Sequence, residues 1–280
     1  MKYLAILCLI PTVVFGQDEE DVYETPTFNW QPAVNQTMND LASISLDDRY
    51  VFLDGSETRR LMDLYGNPPT DMEMGLVAQA ENPFGWFVVF EFDDMGFVKD
   101  DDKDELDADA IYESFLEGSK QSNKYREEMG IAPLNLVGWK VEPNYEETTN
   151  NLEWCLEFES GGEPVLNHNI RVLGRRGVTI VTLVCNPEQF DDALAGTRRI
   201  LEGFSYNEGQ RYSDYVSGDK IAEYGLAALV TGGAVAIAAK SGILGKLLKP
   251  ILLGLAAAGA WIASTFKKIF ARSKDDDRRV

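Results

Sequence analysis

The chain has 280 residues, 45% of them hydrophobic and 26% charged, a composition typical of a globular protein, and its formal net charge is −20. Residues 17–220 carry 42 acidic and 16 basic side chains, whereas residues 221–280 carry 4 acidic and 9 basic ones. Because an acidic body repels phosphate backbones, the composition argues against a nucleic-acid partner.

The N-terminus is typical of a secretory signal peptide. Lys2 precedes an apolar run, and the small residues Val14 and Gly16 stand before Gln17 at positions suited to cleavage. We therefore predict a signal peptide over residues 1–16. An uncleaved N-terminal anchor is the alternative, and it would export the body as well. Residues 17–40 are polar and contain prolines, so we expect an extended lead-in there.

Residues 41–220 are predicted to form one acidic extracytoplasmic domain. RYVFLDG (49–55), GLVAQA (75–80) and FGWFVVFEFDD (84–94) predict strands, because aromatic and β-branched residues are enriched in them. Helices are predicted to begin near Ser56 and near Asp107, whose carboxylate is suited to capping the first exposed amides. EQFDDALAGTRRILEGF (188–204) predicts a third helix.

Beyond Pro133, four strand-like segments follow one another and predict an antiparallel meander: LVGWKVEP, LEWCLEFES, VLNHNIRVLGR and GVTIVTLVC. In the second segment Trp154, Leu156 and Phe158 alternate with Glu153, Cys155, Glu157 and Glu159, so we expect one core face and one solvated face. LGRRG (173–177) predicts a tight turn whose glycines supply positive φ where the turn needs it. The predicted fold class is α+β, a mainly antiparallel sheet with flanking helices, followed by a C-terminal apolar helical membrane anchor.

The cysteines and the single histidine give no recognisable nucleophile motif. If Cys155 and Cys185 lie on the first and third strands of a meander, about 9.5 Å separates the strands, beyond the roughly 7 Å limit for a disulfide. Two separate thiols, and a bridge under a different strand order, both stay open. His168 is expected to be a strand residue with a satisfied ring nitrogen. We predict no cofactor.

An acidic cluster gives the metal hypothesis its candidates, Asp100, Asp102 and Asp104. An EF-hand loop beginning at Asp100 would need Gly where Glu105 stands and Glu where Ile111 stands, so only weak, irregular cation binding remains as a hypothesis. The alternative is a solvated loop whose acids are favoured at a helix N-terminus. Because carboxylates are abundant, a carboxylate-dependent hydrolase is a further alternative.

Residues 221–270 predict a membrane-anchor region, and residues 271–280 form a charged tail. The runs Tyr224–Ala239 and Pro250–Phe266 are uncharged; as helices they would be about 24–26 Å long, against a hydrocarbon core of about 30 Å. Flanking lysines are expected to snorkel to the headgroups. These are Lys240, Lys246, Lys249, Lys267 and Lys268.

The number of membrane spans stays open. One span keeps the basic tail in the cytoplasm, whereas a two-span hairpin returns it to the outside. A buried soluble helical hairpin is a third alternative, which the lack of a polar face disfavours. Small residues recur every four positions and permit close helix packing and self-association: Ala228, Gly232 and Ala236, then Gly254 and Ala258.

Five stretches together carry a resemblance to a known family: GNPP (66–69), WFVVFEFDDMGFVKDDDKDELDADA (86–110), VGWKVEPNYEETTNNLEW (137–154), LGRRGV (173–178) and GQRYSDYVSGDKIAEYGLAALVTGGAVAIAAKSG (209–242). They resemble a bacterial membrane-anchored family, domain of unknown function 2167. The resemblance implies an exported protein attached to the bacterial cell membrane, on the periplasmic side if the cell is Gram-negative. It assigns no catalytic residue.

These observations predict a non-enzymatic binding or assembly module. Its expected partners are the lipid bilayer and a membrane or envelope protein. The alternative is a membrane-tethered carboxylate-dependent hydrolase or cation-binding domain.

Overall fold

The structure, a computed structural model, describes residues 27–64, 70–128 and 132–231. Within this part the strands are β1 Gln31–Pro32, β2 Gln36–Met38, β3 Ala42–Ile44, β4 Tyr50–Asp54, β5 Glu73–Gln79, β6 Phe87–Asp93, β7 Asn135–Glu146, β8 Asn151–Ser160, β9 Glu163–Leu173, β10 Val178–Val184 and β11 Phe204–Tyr206. The helices are α1 Gly55–Leu64, α2 Ala108–Glu128, α3 Phe190–Glu202 and α4 Leu226–Thr231. Short 3₁₀ turns cover Lys103–Glu105, Pro187–Gln189 and Tyr212–Asp214.

The main sheet has eight strands in the order β1–β4–β5–β6–β10–β9–β8–β7, and neighbouring strands pair antiparallel. A smaller antiparallel sheet has the order β11–β3–β2. The predicted α+β class with a mainly antiparallel sheet is confirmed. Both predicted helix starts are capped by carboxylates, because Asp54 accepts from the amides of Ser56 and Glu57, and Asp107 accepts from the amide of Ala110.

Both faces of the main sheet are covered. On the front face, α1 packs on β4 and β5, and α2 packs on β7 and on α4. On the back face, α3 and the small sheet enclose a core that includes Phe90, Ile170 and Ile200. A sheet in this position can carry apolar residues on both sides of its strands.

The expectation of a solvated face on β8 is wrong at its centre. Cys155 is fully buried and belongs to the back-face core, while Trp154 and Leu156 are buried on the front face. The reason is that α3 covers the side that the alternation alone assigned to solvent. Alternation identifies two faces but cannot show that a later helix returns to cover the second one.

The turn between β9 and β10 uses its glycines for close approach. Neither Gly174 nor Gly177 has a positive φ, so the predicted turn does not need that conformation at either position. A Cβ on Gly174 would lie 2.7 Å from the Tyr206 ring, and one on Gly177 would overlap the backbone carbonyl of Asp93. Glycine is therefore required here because other groups occupy the space of a side chain.

The folded domain extends past residue 220. Phe97 forms backbone hydrogen bonds with Lys220 (2.7 Å) and Ala222 (2.9 Å). Leu226 and Val230 of α4 are buried in the front-face core beside Trp154. The predicted boundary between domain and anchor, at residues 220 and 221, thus falls inside packed structure, because a short apolar run looks alike in a docked helix and in a membrane span.

Several predictions concern parts of the chain outside the described residues. They are the signal peptide, residues 17–26 of the lead-in, and everything from residue 232 onward, including Gly232, Ala236, Gly254, Ala258 and the lysines Lys240, Lys246, Lys249, Lys267 and Lys268. In the part that the structure does describe, no helix combines the length and the apolar character that a membrane crossing needs.

Replacing Gly177 by alanine should destabilise the domain by about 2 kcal/mol or more, because the new methyl group displaces the Asp93 carbonyl and the strand that carries it. Urea unfolding measures the change. Gly138→Ala is the matched control, because a Cβ there meets no atom within 4 Å. Equal stabilities of the two variants would contradict the close-approach explanation.

Candidate functional site

Two of the three aspartates predicted as cation ligands, Asp100 and Asp102, accept hydrogen bonds from other parts of the folded domain. Asp102 accepts hydrogen bonds from the amides of Leu226 (3.1 Å) and Ala227 (3.4 Å) at the start of α4. Asp100 accepts one from the Tyr145 hydroxyl (3.2 Å), and Asp104 is exposed. Among the described residues, no group of three or more acidic, histidine or cysteine side chains is placed to hold a metal ion.

The two cysteines are separate, free thiols, which resolves the alternatives left open by the sequence. They lie at β8 and at the end of β10, with β9 between these strands. Burial raises the pKa of Cys155 to about 12 and that of Cys185 to about 11. Both thiols are therefore protonated near neutral pH, the form that is a poor nucleophile.

His168 is buried in the back-face layer and paired with a carboxylate. Its Nε2 lies 2.9 Å from Oε1 of Glu153, and the same oxygen accepts a hydrogen bond from Arg198 (3.4 Å). The bond to His168 lowers the pKa of Glu153. The ring packs edge-on to Phe190, while its Nδ1 has no partner. This environment fits a structural histidine with one satisfied nitrogen.

A row of three charged side chains and one isoleucine crosses the front face between α1 and the α2–α4 pair. Glu73 of β5 pairs with Glu91 of β6, Glu91 pairs with Ile180 of β10, and Ile180 pairs with Arg171 of β9. Residues directly opposite one another in a sheet project from the same face, so these four side chains lie side by side. We call this row the front strip.

Glu73 occupies the α1 end of the front strip, and its carboxylate has both hydrogen-bond donors and a cation close to it. It is only 4% exposed. Its carboxylate accepts hydrogen bonds from the amide (2.8 Å) and hydroxyl (3.0 Å) of Thr70, and Arg59 lies 3.9 Å away. These contacts hold the carboxylate of Glu73 in place beside its neighbour Glu91.

Glu91 occupies the centre of the strip, and its carboxyl has fewer polar contacts than that of Glu73. It is 5% exposed, and no hydrogen bond or ion pair to its side chain is found among the described residues. Burial, and secondly the charge of Glu73, raises the pKa of Glu91 from 4.5 to about 7. A carboxyl with such a pKa exchanges its proton near neutral pH, which is a property of many functional sites.

Arg171 lies across Ile180 from Glu91. Its guanidinium stacks on the Trp154 ring at 4.9 Å and donates to the backbone oxygen of Ile170 (3.1 Å) and to Asn169 (3.4 Å). Burial lowers the pKa of Arg171, but the group stays charged near neutral pH. No carboxylate lies within ion-pair distance of it in the described part of the chain.

Sequence reasoning missed all three charged residues of the front strip, although a local signal existed. FVVFEF (87–92) is a nearly continuous apolar run, and Glu91 is the single charge within it. A charge in a strand that is buried on both faces needs a partner or a function. Its neighbours Glu73 and Arg171 follow only from the strand order, which the sequence did not reveal.

Comparison with known proteins identifies the family. The sequence profile described as "Protein of unknown function (DUF2167)" matches residues 30–262. The chain belongs to this family. The predicted resemblance is thereby confirmed for the domain of unknown function 2167. No curated protein matches the chain.

One solved structure is weakly similar to this DUF2167 protein. It is the solution structure of cyanobacterial PsbP (CyanoP) from Synechocystis sp. PCC 6803, with 11% sequence identity and a TM-score of 0.35. The match covers 62% of this chain and 94% of that one. A likeness this slight adds nothing to the fold described above.

The raised pKa of Glu91 makes the stability of the domain pH-dependent. Between pH 4.5 and 7 the folded state holds a proton that the unfolded state has released, so stability falls as pH rises through this window. The loss attributable to this carboxyl is about 3 kcal/mol. Glu91→Gln keeps the shape without the charge and should be the more stable form at pH 7.5.

Urea unfolding of the wild type and of Glu91→Gln at pH 5 and pH 7.5 measures this effect. The difference between the two proteins should grow toward pH 7.5. Glu163→Gln, at an exposed position, is the control and should follow the wild type. If Glu91→Gln also runs parallel to the wild type, Glu91 titrates as an ordinary carboxyl.

Proposed function

We propose that the chain is a membrane-anchored binding module of the bacterial envelope, with its acidic domain outside the cytoplasm. The observation that carries the binding role is the front strip. Arg171 there is a partly buried cation on which the charges of Glu91 and Asp93 act, but no carboxylate lies within ion-pair distance of it among the described residues, and no described group hydrogen-bonds to the buried carboxyl of Glu91. Such groups cost folding free energy, and a ligand that pairs with them offsets that cost.

The apolar runs and their flanking lysines support anchoring, and the position of α4 bears on the number of spans. While α4 stays docked, only residues 232–239 of the first uncharged run remain beyond it. Eight residues reach about 12 Å as a helix, well short of a hydrocarbon core of about 30 Å. We therefore favour a single span over Pro250–Phe266.

A single span has consequences for the flanks and for assembly. Lys249 would lie at the outer headgroups, and Lys267 and Lys268 at the cytoplasmic ones, in accordance with the positive-inside tendency. Ala228 is buried within the domain, so it does not take part in helix packing in the membrane. Gly254 and Ala258 remain as the candidates for self-association.

A second candidate function, a carboxylate-dependent hydrolase, is favoured by one observation. Glu73 and Glu91 are direct cross-strand neighbours, and the pKa of Glu91 is raised to about 7 beside an engaged carboxylate. Paired carboxyls in different environments can supply an acid and a base. The binding role ranks first because Glu73 already accepts hydrogen bonds from Thr70 and lies close to Arg59. Only the carboxyl of Glu91 is then left to act as an acid or base.

Truncation tests the anchoring proposal. A chain ending at Thr231 should be exported, soluble and folded, because it retains α4. A chain ending at Lys220 should be less stable by several kcal/mol, since it loses the burial of Leu226 and Val230, each worth about 1.5–3 kcal/mol. Cell fractionation and thermal unfolding measure the two effects. Membrane retention of the 1–231 chain would contradict anchoring by the C-terminal region.

A protease-sensitive tag after Val280 tests the number of spans. With one span the tag lies in the cytoplasm and resists protease added to cells whose outer barrier has been opened. With two spans it is cut. A tag inserted between Asp101 and Asp102 would disturb α4, so the exposed turn at Gly161 and Gly162 is the better site for the extracytoplasmic control.

Calorimetry with calcium tests the cation-binding alternative. We expect no binding heat for the 1–231 chain, because Asp102 is occupied by the amides of α4 and Asp100 by Tyr145. The combined variant Asp100→Asn and Asp104→Asn leaves the α4 cap intact and is the matched comparison. Heat in the wild type that this variant abolishes would establish a cation site there.

A further inference from the structure

We propose that the front strip binds its ligand through a single carboxylate group, held between Arg171 and Glu91 over the side chain of Ile180. This inference rests on the proposed binding function and names the ligand class for that site.

The guanidinium of Arg171 is arranged to receive an oxyanion. It uses only some of its five N–H donors, with one bond to a backbone oxygen and one to Asn169. The Trp154 ring covers one face of the guanidinium plane, which fixes its orientation. A planar, oriented guanidinium binds a carboxylate with two parallel hydrogen bonds.

The dimensions of the strip suit a carboxylate. The strands of Glu91 and Arg171 are separated by β10, hence by two strand spacings of about 9.5 Å. A carboxylate that accepts hydrogen bonds on both sides joins donor atoms roughly 8 Å apart, a distance comparable to this separation of the two backbones. Ile180 lies between the two residues and is only half-buried, so solvent reaches the point where the carboxylate would sit.

Glu91 completes the site when it carries a proton. A protonated carboxyl is a hydrogen-bond donor, and a carboxylate is its natural acceptor. The raised pKa of Glu91, about 7, keeps a large fraction of this group protonated under mildly acidic and neutral conditions. Loss of the proton removes the donor and places a negative charge beside the ligand.

The surrounding charges select a ligand with one negative charge. Among the described residues, Glu73 on β5, with Arg59 of α1 beside it, and Asp93 on β6 carry charge near Glu91, while β10 contributes Ile180 and Thr182. The body as a whole is strongly acidic. A phosphate dianion meets stronger repulsion than a carboxylate, and a cation is repelled by Arg171.

The test uses the full-length protein in detergent micelles with ¹³C-labelled isoleucine methyl groups. The probes are N-acetyl-alanyl-alanine with a free carboxylate and the same peptide as its C-terminal amide. The Ile180 methyl signal, assigned with Ile180→Val, should move with the acid and stay still with the amide. Affinity should fall about tenfold from pH 6 to pH 8, as Glu91 loses its proton.

Variants connect the signal to the named residues. Arg171→Gln should weaken binding about tenfold or more, and Arg171→Lys, which keeps the charge but not the planar fork, should also weaken it. Glu91→Gln should bind at pH 6 with little change at pH 8. Arg198→Gln on α3, on the opposite face, is the control and should bind as the wild type does.

Several outcomes would overturn the proposal. They are an Ile180 shift of equal size with acid and amide, no shift at saturating probe, or binding that Arg171→Gln and Arg171→Lys leave unchanged. The methyl signals of Ile111, Ile170 and Ile200 report whether each variant is folded, since these side chains are buried. Membrane retention is measured separately, so loss of the ligand proposal leaves the anchoring proposal standing.

Discussion

Burial of both faces of the main sheet governs which side chains its central strands can hold. Polar groups inside such a sheet must find partners, and on the back face the principal ones do. The Tyr206 hydroxyl donates to the backbone oxygen of Val172 (2.8 Å) and accepts from the amide of Thr179 (3.0 Å). It thereby fastens the small sheet to the large one, and burial raises the pKa of this hydroxyl above its usual value. His168 likewise shares a hydrogen bond with Glu153.

The front strip departs from this pattern, because two of its ionisable side chains lack close partners. His168 leaves only Nδ1 without a partner, because its Nε2 is bonded to Glu153, whereas Glu91 and Arg171 have no partner within ion-pair distance among the described residues. Burying ionisable groups without a close partner of opposite charge costs folding free energy. A fold that places two ionisable groups side by side in this way, at a cost in stability, is a candidate for using that location for something besides stability. This is why we place the ligand there and not at the histidine or the thiols.

The sequence predicted the local structure well and the site poorly, for one physical reason. Alternation in LEWCLEFES identified β8, and Asp107 marked the start of α2, because both signals lie within a few residues. Glu73, Glu91 and Arg171 are brought together by the strand order β5–β6–β10–β9, and pairing between distant segments leaves no periodic trace. The same limit explains the misplaced end of the domain, since α4 and a membrane span share the same apolar composition.

Trp154 connects the front strip to the side of the domain from which the apolar run leaves. Its ring stacks on the guanidinium of Arg171, and its side chain belongs to the same core cluster as Leu226 and Val230 of α4. The start of α4 is in turn capped by Asp102 of the acidic cluster. The strip therefore has a fixed position relative to the last described helix, and not merely a flexible attachment to it. If the chain beyond that helix leads to the membrane, as we propose, Asp102 helps to set where that chain leaves the domain relative to the strip. That geometry suits a module that binds something at or near the membrane surface.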